Sequence, residues 1–340
     1  MMQFCQKIDI HTHMLDNESL ISQRLTANKY MGFSRCVLLP VPENMSMGGP
    51  TFFAEDAYAL SRRYPEHFTW MCNLCPDGTD LTHEKVKRYK QMGAVGLGEF
   101  GTRIRFDDPK MDHLFAVLEQ VQMPFLFHMA PADADPYYGI VDDPRLPGLE
   151  RALKKFPKLI FIGHSQPFWF EMAKTDVTDP ETRNSCPFGP FVEGRVPELM
   201  RQYPNLYCDL SANSGQTALL RDPAYGLAFV KEFQDRLMFG TDWMFREDAP
   251  CHFALSAWLD FCAAKELLPF DAYQKICFGN AEADLLTPIT NTPTKKRVCY
   301  NAKNSTVQSR LAVPQGRRNV VADCRLAPYL ERPGRAGRRR

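Results

Sequence analysis

The chain has 340 residues, of which 44% are hydrophobic and 24% charged, and its formal net charge is +1. A chain of this size buries a substantial core, either as one large barrel or as two ordinary domains. Its apolar runs, such as KLIFIGH and MPFLFHM, are far shorter than the ~20 residues that span a bilayer, and no secretory signal pattern opens the chain. We therefore expect a cytoplasmic protein that makes no membrane contact. The 11 irregularly spaced cysteines are typical of buried thiols rather than of a disulfide framework.

Short apolar runs alternate with longer segments of helical periodicity, the first of them around residues 18–30. Eight strands are predicted, at KIDIHT, RCVLLP, FTWMCNL, AVGLGEF, PFLFHM, LIFIGHS, NLYCDLSA and RLMFGTD. Parallel strands buried on both faces read as near-continuous apolar runs, so eight strand-helix units predict an α/β fold of the closed (β/α)8 or TIM barrel type. An open doubly wound sheet is the alternative, but no glycine-rich phosphate-binding turn follows the first strand.

The segment from Thr287 onward differs from the rest of the chain. It holds 13 lysines and arginines against 2 acidic residues, so its charge is about +11 and that of residues 1–286 about −10. Its apolar periodicity stops, and stretches such as ERPGRAGRRR bury too little apolar area to offset their ordering entropy. We predict a barrel domain over residues 1–286 and a disordered basic tail over 287–340. An acidic barrel repels phosphate backbones, so no nucleic-acid partner is expected.

Ionisable side chains lie at the ends of the predicted strands, where active sites of such barrels are found. His11 and His13 end the first strand, and alternate residues of a strand point the same way, so both imidazoles should face the barrel axis. The ends of strands four, five, six and eight carry Glu99, His128, His164 and Asp242. Each residue alone could be structural, but together they form a nitrogen and oxygen ligand set for Zn²⁺ or another divalent metal. One metal would also satisfy several buried polar groups at once.

These motifs resemble the amidohydrolase superfamily. DIHTH on the first strand, FHMA on the fifth, GHS on the sixth and FGTDW on the eighth carry the likeness, and RVPELMRQYPNLYCDLSANSG and KICFGNAEADLL extend it across residues 4–286. The sequence is particularly similar to the amidohydrolase-related branch, which includes decarboxylases of the aminocarboxymuconate semialdehyde type.

The resemblance implies that His11, His13 and Asp242 bind a first metal together with a water. His128 and His164 would bind a second metal, or would be divided between ligation and substrate activation. Glu99 lies in VGLGEFG, which resembles a strand of TatD-like members and places Glu99 in the position that bridges two metals. One or two ions are therefore expected.

The implied reaction uses a metal-activated water, whose pKa falls from about 16 towards ~7. Asp242 would take a proton from the water and deliver it to the leaving group, and His164 would hold the substrate carbonyl oxygen or a second metal. The leading hypothesis is a hydrolase of a C–N or C–O bond in a small cyclic amide, lactone or ester. The alternatives are a non-oxidative decarboxylase with the same site, and a barrel that binds a metal or ligand without catalysis and has the basic tail as its working part.

The loop that follows the sixth strand, residues 165–194, is long and rich in aromatic side chains. Long loops on the active face of a barrel usually carry specificity. We predict that Phe168 and Trp169 contact an apolar or aromatic part of the substrate and that Arg105 pairs with a substrate carboxylate. Packing of the loop on itself and a surface ion pair are the respective alternatives. The sequence identifies no particular substrate and is compatible with a homo-oligomer.

Overall fold

A ring of parallel strands forms the centre of the fold. The computed structural model describes residues 4–43, 51–134, 136–243 and 253–286. The strands are β1 (Lys7–Thr12), β2 (Phe33–Leu38), β3 (Phe68–Trp70), β4 (Leu97–Phe100), β5 (Ile104–Arg105), β6 (Phe125–Ala130), β7 (Ile140–Val141), β8 (Phe161–His164), β9 (Leu206–Asp209) and β10 (Leu237–Met238). All of these strands except β5 and β7 correspond to the predicted ones.

Main-chain hydrogen bonds close the ring. β1, β2 and β3 pair in that order, β4 pairs with β6, and β6, β8, β9 and β10 follow one another, always in parallel. Cys72 N donates to Gly96 O (2.9 Å) between β3 and β4, and Asp242 N donates to His11 O (2.9 Å) between β10 and β1. The predicted (β/α)8 barrel is confirmed, and an open sheet is wrong because the first and last strands are joined.

Helices lie between the strands, and the first of them matches the helix predicted around residues 18–30. They are α1 (Glu18–Met31), α2 (Ala54–Arg63), α3 (Asp80–Gln91), α4 (Pro109–Val121), α5 (Pro147–Lys155), α6 (Gln166–Phe170), α7 (Pro180–Arg183), α8 (Arg195–Gln202), α9 (Ala212–Leu220), α10 (Pro223–Glu232), α11 (Ala254–Ala264) and α12 (Phe270–Gln274), with π-helical turns at Lys275–Gly279 and Glu282–Leu286. Local chemistry sets the bounds of α1, because Asn17 accepts hydrogen bonds from Ser19 N and Leu20 N, and Gly32 leaves the helix with φ of 72°.

The apolar core has two layers. The inner layer fills the barrel with residues on or beside every barrel strand: Ile8, Ile10, Val37, Leu39, Met71, Val95, Leu126, Ile162, Tyr207 and Met238. Ala281 and Leu285, from the C-terminal segment, pack against this layer. The outer layer lies between strands and helices and is rich in aromatic contacts, such as those of Phe115 with Phe125 and Phe161. A filled barrel leaves only its ends for a site.

Several elements go beyond the predicted pattern. Helices α6 and α7 lie within the segment predicted as a long loop, and β5 and β7 pair beside the end of β6. The predicted tail, residues 287–340, lies outside the described residues, so the predicted domain boundary stays a prediction. None of the helices in the described part of the chain is long and apolar enough to cross a membrane.

Candidate metal centre

The two histidines of β1 converge on one point. His11 Nε2 and His13 Nε2 lie 3.0 Å apart. The other ring nitrogens face acceptors, since His11 Nδ1 is 2.6 Å from Asp209 Oδ2 and His13 Nδ1 is 3.0 Å from the Leu39 carbonyl oxygen. A carboxylate or carbonyl oxygen accepts a hydrogen bond only from a protonated nitrogen, so the proton of each neutral ring lies on Nδ1. Both Nε2 atoms then carry lone pairs, and these are directed at the same place. Two facing lone pairs require a proton or a cation between them.

The two histidines share a face of β1, as the alternation of a strand predicts for residues two apart. Ile8 and Ile10 fill the barrel interior, so an undistorted strand would place His11 and His13 on the opposite face. The pairing of β1 with β2 shifts register between Asp9 and Thr12, and an extra residue at such a bulge changes the face that the following side chains share.

Glu99 and Asp242 each bring an oxygen atom close to this point. Glu99 Oε2 is 3.6 Å from His11 Nε2 and 3.2 Å from His13 Nε2, and Asp242 Oδ1 is 3.4 and 3.3 Å from the same two atoms. Two ligand atoms bonded at ~2.0–2.1 Å to one Zn²⁺ ion lie about 3.3–3.4 Å apart, close to these distances. His11, His13 and Glu99 offer ligand atoms within 4.8 Å of one another, and so do His11, His164 and Asp242.

The second oxygen of Glu99 faces the other two predicted ligands. Glu99 Oε1 is 2.6 Å from His128 Nδ1 and 3.5 Å from His164 Nε2. One carboxylate thus lies between two pairs of imidazoles, which is the disposition of a bridging ligand. The structure brings all six predicted residues together, with His128 hydrogen-bonded directly to Glu99.

Asp209 and Ser211, at the end of β9, were not among the predicted site residues. The buried Asp209 Oδ2 lies 2.6 Å from His11 Nδ1 and 3.1 Å from His164 Nδ1. Ser211 Oγ donates to Asp209 Oδ2 at 2.8 Å and lies 3.2 Å from His164 Nδ1. Carboxylates of this kind fix the tautomer and ring orientation of metal-binding histidines. Their position at a strand end, in NLYCDLSA, was the available sequence signal.

A second buried aspartate joins the first and last barrel strands. Asp9 accepts from Thr241 N (2.8 Å), Thr241 Oγ1 (2.6 Å) and His11 N (3.1 Å), and it pairs with the buried Arg24 guanidinium. Thr241 precedes Asp242, so this one carboxylate fixes the backbone beside two candidate ligands. Asp242 itself has φ of 56°, a left-handed conformation that aspartate tolerates better than most residues.

Electrostatics in the cluster follow from burial opposed by nearby charges. Burial lowers the pKa of His11, but the carboxylates of Asp242, Asp209 and Glu99 outweigh it and raise that pKa well above its usual value. The same competition, with Asp242 and Glu99 as the opposing groups, raises the pKa of His13 to about 9. Burial would raise the pKa of Glu99 and Asp242, but the imidazoles hold both below their ordinary values. Protons on the histidines balance the charge of the ionised carboxylates. A divalent cation bound at the cluster would replace these protons and balance the same charge.

Tyr138 lies at the mouth beside this cluster. Its ring stacks on that of His128, with centroids 4.1 Å apart and 27° between the planes. Burial, Glu99 and Asp242 raise the pKa of Tyr138 well above its usual value. It belongs to a short connection, PYYGI, in which no sequence pattern predicted a site residue.

The predicted substrate contacts have packing or ion-pair partners in the structure. Phe168 and Trp169 are buried, Phe168 against the ring of Phe127, and Trp169 Nε1 donates to the Asp209 carbonyl oxygen at 3.3 Å. Arg105 is half-exposed and pairs with Asp107 and Asp143, both at 2.9 Å. The contacts give no separate support to substrate binding by these residues, which stays a prediction.

Comparison with known proteins was made for both sequence and structure. The family model described as Amidohydrolase matches residues 190–284, a stretch that contains Asp209, Ser211 and Asp242. The predicted resemblance to the amidohydrolase family is thus confirmed over residues 190–284. None of the curated proteins that were compared with the chain matches it.

Solved structures resemble this amidohydrolase-like barrel at low sequence identity. A 2,6-dihydroxybenzoate decarboxylase from Rhizobium is 16% identical, with a TM-score of 0.51 over 83% of this chain and 99% of that one. A probable 2-pyrone-4,6-dicarboxylic acid hydrolase from Acinetobacter baumannii is 13% identical (TM-score 0.50; 83% and 100% covered). A 5-carboxyvanillate decarboxylase from Novosphingobium aromaticivorans, with bound manganese, is 12% identical (TM-score 0.50; 83% and 97% covered). At these identities the likeness concerns the fold.

Proposed function

We propose that this protein is a metal-dependent hydrolase that cleaves a C–N or C–O bond in a small organic substrate. The observation that carries the proposal is the convergence of His11 and His13 with Glu99 and Asp242, whose carboxylate oxygens each lie 3.2 to 3.6 Å from the two imidazole nitrogens. A divalent ion bound there supplies a water of pKa near ~7 and polarises a carbonyl group. Zn²⁺ suits this nitrogen and oxygen set, and Mn²⁺ is a reasonable second choice because a relative of similar fold holds manganese.

Asp242 is the proton carrier in this mechanism. It remains ionised because the imidazoles of His11 and His13 hold its pKa low, and about a fifth of its side chain is exposed to the mouth. It accepts a proton from the attacking water and returns it to the nitrogen or oxygen that leaves. The water oxygen forms the new bond to the carbonyl carbon as the old C–N or C–O bond breaks.

His164 acts as a ligand rather than as a hydrogen-bond donor to the substrate. Its Nδ1 faces both Asp209 and Ser211, and the Ser211 hydroxyl proton is already donated to Asp209. The proton of the neutral ring therefore resides on Nδ1, which leaves Nε2 as a lone pair directed towards Glu99. Of the two roles expected for His164, this geometry supports metal binding.

Decarboxylation is the second candidate, supported by the names of the relatives from Rhizobium and Novosphingobium. The C–C bond to the carboxylate breaks, CO₂ leaves, and the electron pair remains on the substrate carbon. Asp242 accepts a proton from a water and delivers it to that carbon, so the substrate carboxylate and water give the protonated carbon, CO₂ and hydroxide. The same residues serve both reactions, but a C–C bond breaks in place of a C–N or C–O bond and the proton goes to carbon.

The experiment uses the full chain loaded with Zn²⁺ or Mn²⁺ and a panel of cyclic amides, lactones, esters and aromatic carboxylates. Acid release identifies hydrolysis, and CO₂ release identifies decarboxylation. Asp242→Asn is expected to lose at least about 100-fold in turnover, whereas Glu66→Gln, at an exposed position, keeps it. Equal turnover in wild type and Asp242→Asn would contradict the role of Asp242, whereas a metal-loaded wild type that turns over no substrate of the panel would favour the non-catalytic barrel.

A further inference from the structure

The packing of the neighbouring backbone places Tyr138 beside the cluster. β7 pairs with the end of β6, Met129 opposite Ile140, which carries the preceding residues across His128. Gly139 packs directly against the His128 main chain, where an added Cβ would lie 2.9 Å from the carbonyl carbon. The absence of a side chain at Gly139 thus allows the Tyr138 ring to stack on the His128 imidazole.

The Tyr138 hydroxyl is available as a hydrogen-bond donor among the described residues. Among the residues that the structure describes, none forms a hydrogen bond with this hydroxyl. The side chain interacts electrostatically with the carboxylates of Glu99 and Asp242, so it lies beside the cluster, and 37% of the residue is exposed. A phenol with an ordinary pKa near ~10 is protonated at neutral pH and can donate.

The cluster itself has no spare donor among its described members. The Nδ1 protons of His11 and His164 face Asp209, and that of His13 faces the Leu39 carbonyl oxygen. His128 Nδ1 is engaged with Glu99, and the carboxylates can only accept. A metal bound by the cluster would meet one side of a substrate oxygen, but the described side chains of the cluster offer only acceptors and lone pairs, so Tyr138 is the hydrogen-bond donor beside them.

We propose that Tyr138 is a catalytic residue whose hydroxyl donates a hydrogen bond to a carbonyl or carboxylate oxygen of the substrate. The inference rests on the proposed metal-dependent function, because the substrate is expected to bind beside the candidate ligands. It narrows the substrate class to molecules that present such an oxygen towards the His128 side of the mouth.

The test measures binding of acetohydroxamate, a small oxygen chelator of divalent ions, to the full chain loaded with Zn²⁺. Wild type, Tyr138→Phe and the control Tyr30→Phe are compared by calorimetry, and metal content is determined in each sample. Tyr30 is 83% exposed on α1, whereas the phenylalanine at 138 keeps the stacking and removes only the hydroxyl. We expect about tenfold weaker binding to Tyr138→Phe, with metal content unchanged, and wild-type binding to Tyr30→Phe.

The outcomes separate the inference from the proposed function. If all three proteins hold metal and Tyr138→Phe binds acetohydroxamate as tightly as wild type, the hydroxyl is not a donor and the inference is wrong. If wild type holds no metal, the proposed function fails and the inference fails with it. Loss of metal from Tyr138→Phe alone would assign Tyr138 a role in shaping the centre, which also contradicts the inference.

Discussion

Asp209 orients two candidate ligands with one oxygen atom. Its Oδ2 lies within 3.1 Å of the Nδ1 atoms of both His11 and His164, and its pKa is lowered because these imidazoles outweigh the effect of burial. An ionised carboxylate in this position keeps both Nε2 lone pairs free. The geometry of the centre therefore depends on a residue that does not itself face the ion.

Asp209→Asn should weaken metal binding without removing it. The amide keeps the shape of the side chain but not its charge, so the two imidazoles lose the partner that fixes their tautomers. We expect about 10- to 100-fold lower Zn²⁺ affinity, measured by competition with a chromogenic chelator. Asp143→Asn, in a surface ion pair, is the control. An unchanged affinity would show that Asp209 has only a packing role.

The six predicted residues could be identified from sequence because the ends of parallel barrel strands meet at one mouth, whatever the details of packing. Asp209 also ends a strand, but a lone acid there carries no pattern that separates it from a cap. The role of Asp9 depends on its contact with Thr241, and that of Tyr138 on its contact with His128, which lies on a different element. Spacing along the sequence cannot reveal such contacts.

At the scale of secondary-structure elements, the connection between β6 and β7 leaves no room for a side chain at Gly139. Gly139 has φ of 114° and packs on the main chain of His128. Gly32, after α1, also has a positive φ of 72°, but an added Cβ there meets nothing within 4 Å. The two glycines thus share a backbone preference and differ in their surroundings.

Gly139→Ala should destabilise the fold considerably more than Gly32→Ala. Both substitutions carry the cost of a positive φ, about 1 kcal/mol, but only the alanine at 139 must displace backbone atoms. We expect at least about 2 kcal/mol of additional loss in the free energy of unfolding, measured by urea denaturation. Equal losses in the two variants would mean that the turn adjusts freely and does not hold Tyr138 in place.

The barrel strands could be predicted because each is an apolar run of several residues bounded by a helix. β5 and β7 have two residues each and, unlike the equally short β10 in RLMFGTD, lie in none of the predicted apolar runs; they form because their backbones meet beside β6. Likewise, α6 and α7 are short and lie in a segment whose aromatic residues indicated a loop over the mouth. Aromatic side chains of that segment, including Phe168, pack into the outer core instead.

At the scale of the whole molecule, barrel closure brings residues more than 200 positions apart in the sequence into one centre. Asp242 N bonds to His11 O across the seam, and Asp9 bonds to Thr241 beside it. The inner core of aliphatic side chains fills the space below, so the charged cluster lies between an apolar floor and the open mouth. A cation in such a place is weakly screened and binds strongly to its ligands.

Metal content of the purified full chain decides whether the six candidate ligands form a metal centre. Wild type, Glu99→Ala and the exposed control Glu66→Ala are equilibrated with Zn²⁺, freed of excess ion and analysed by plasma mass spectrometry. Because the two Glu99 oxygens face separate pairs of histidines, we predict two ions per chain in wild type and Glu66→Ala, and one in Glu99→Ala. A wild-type protein that retains no ion, or a Glu99→Ala variant that retains as many as wild type, would contradict the account.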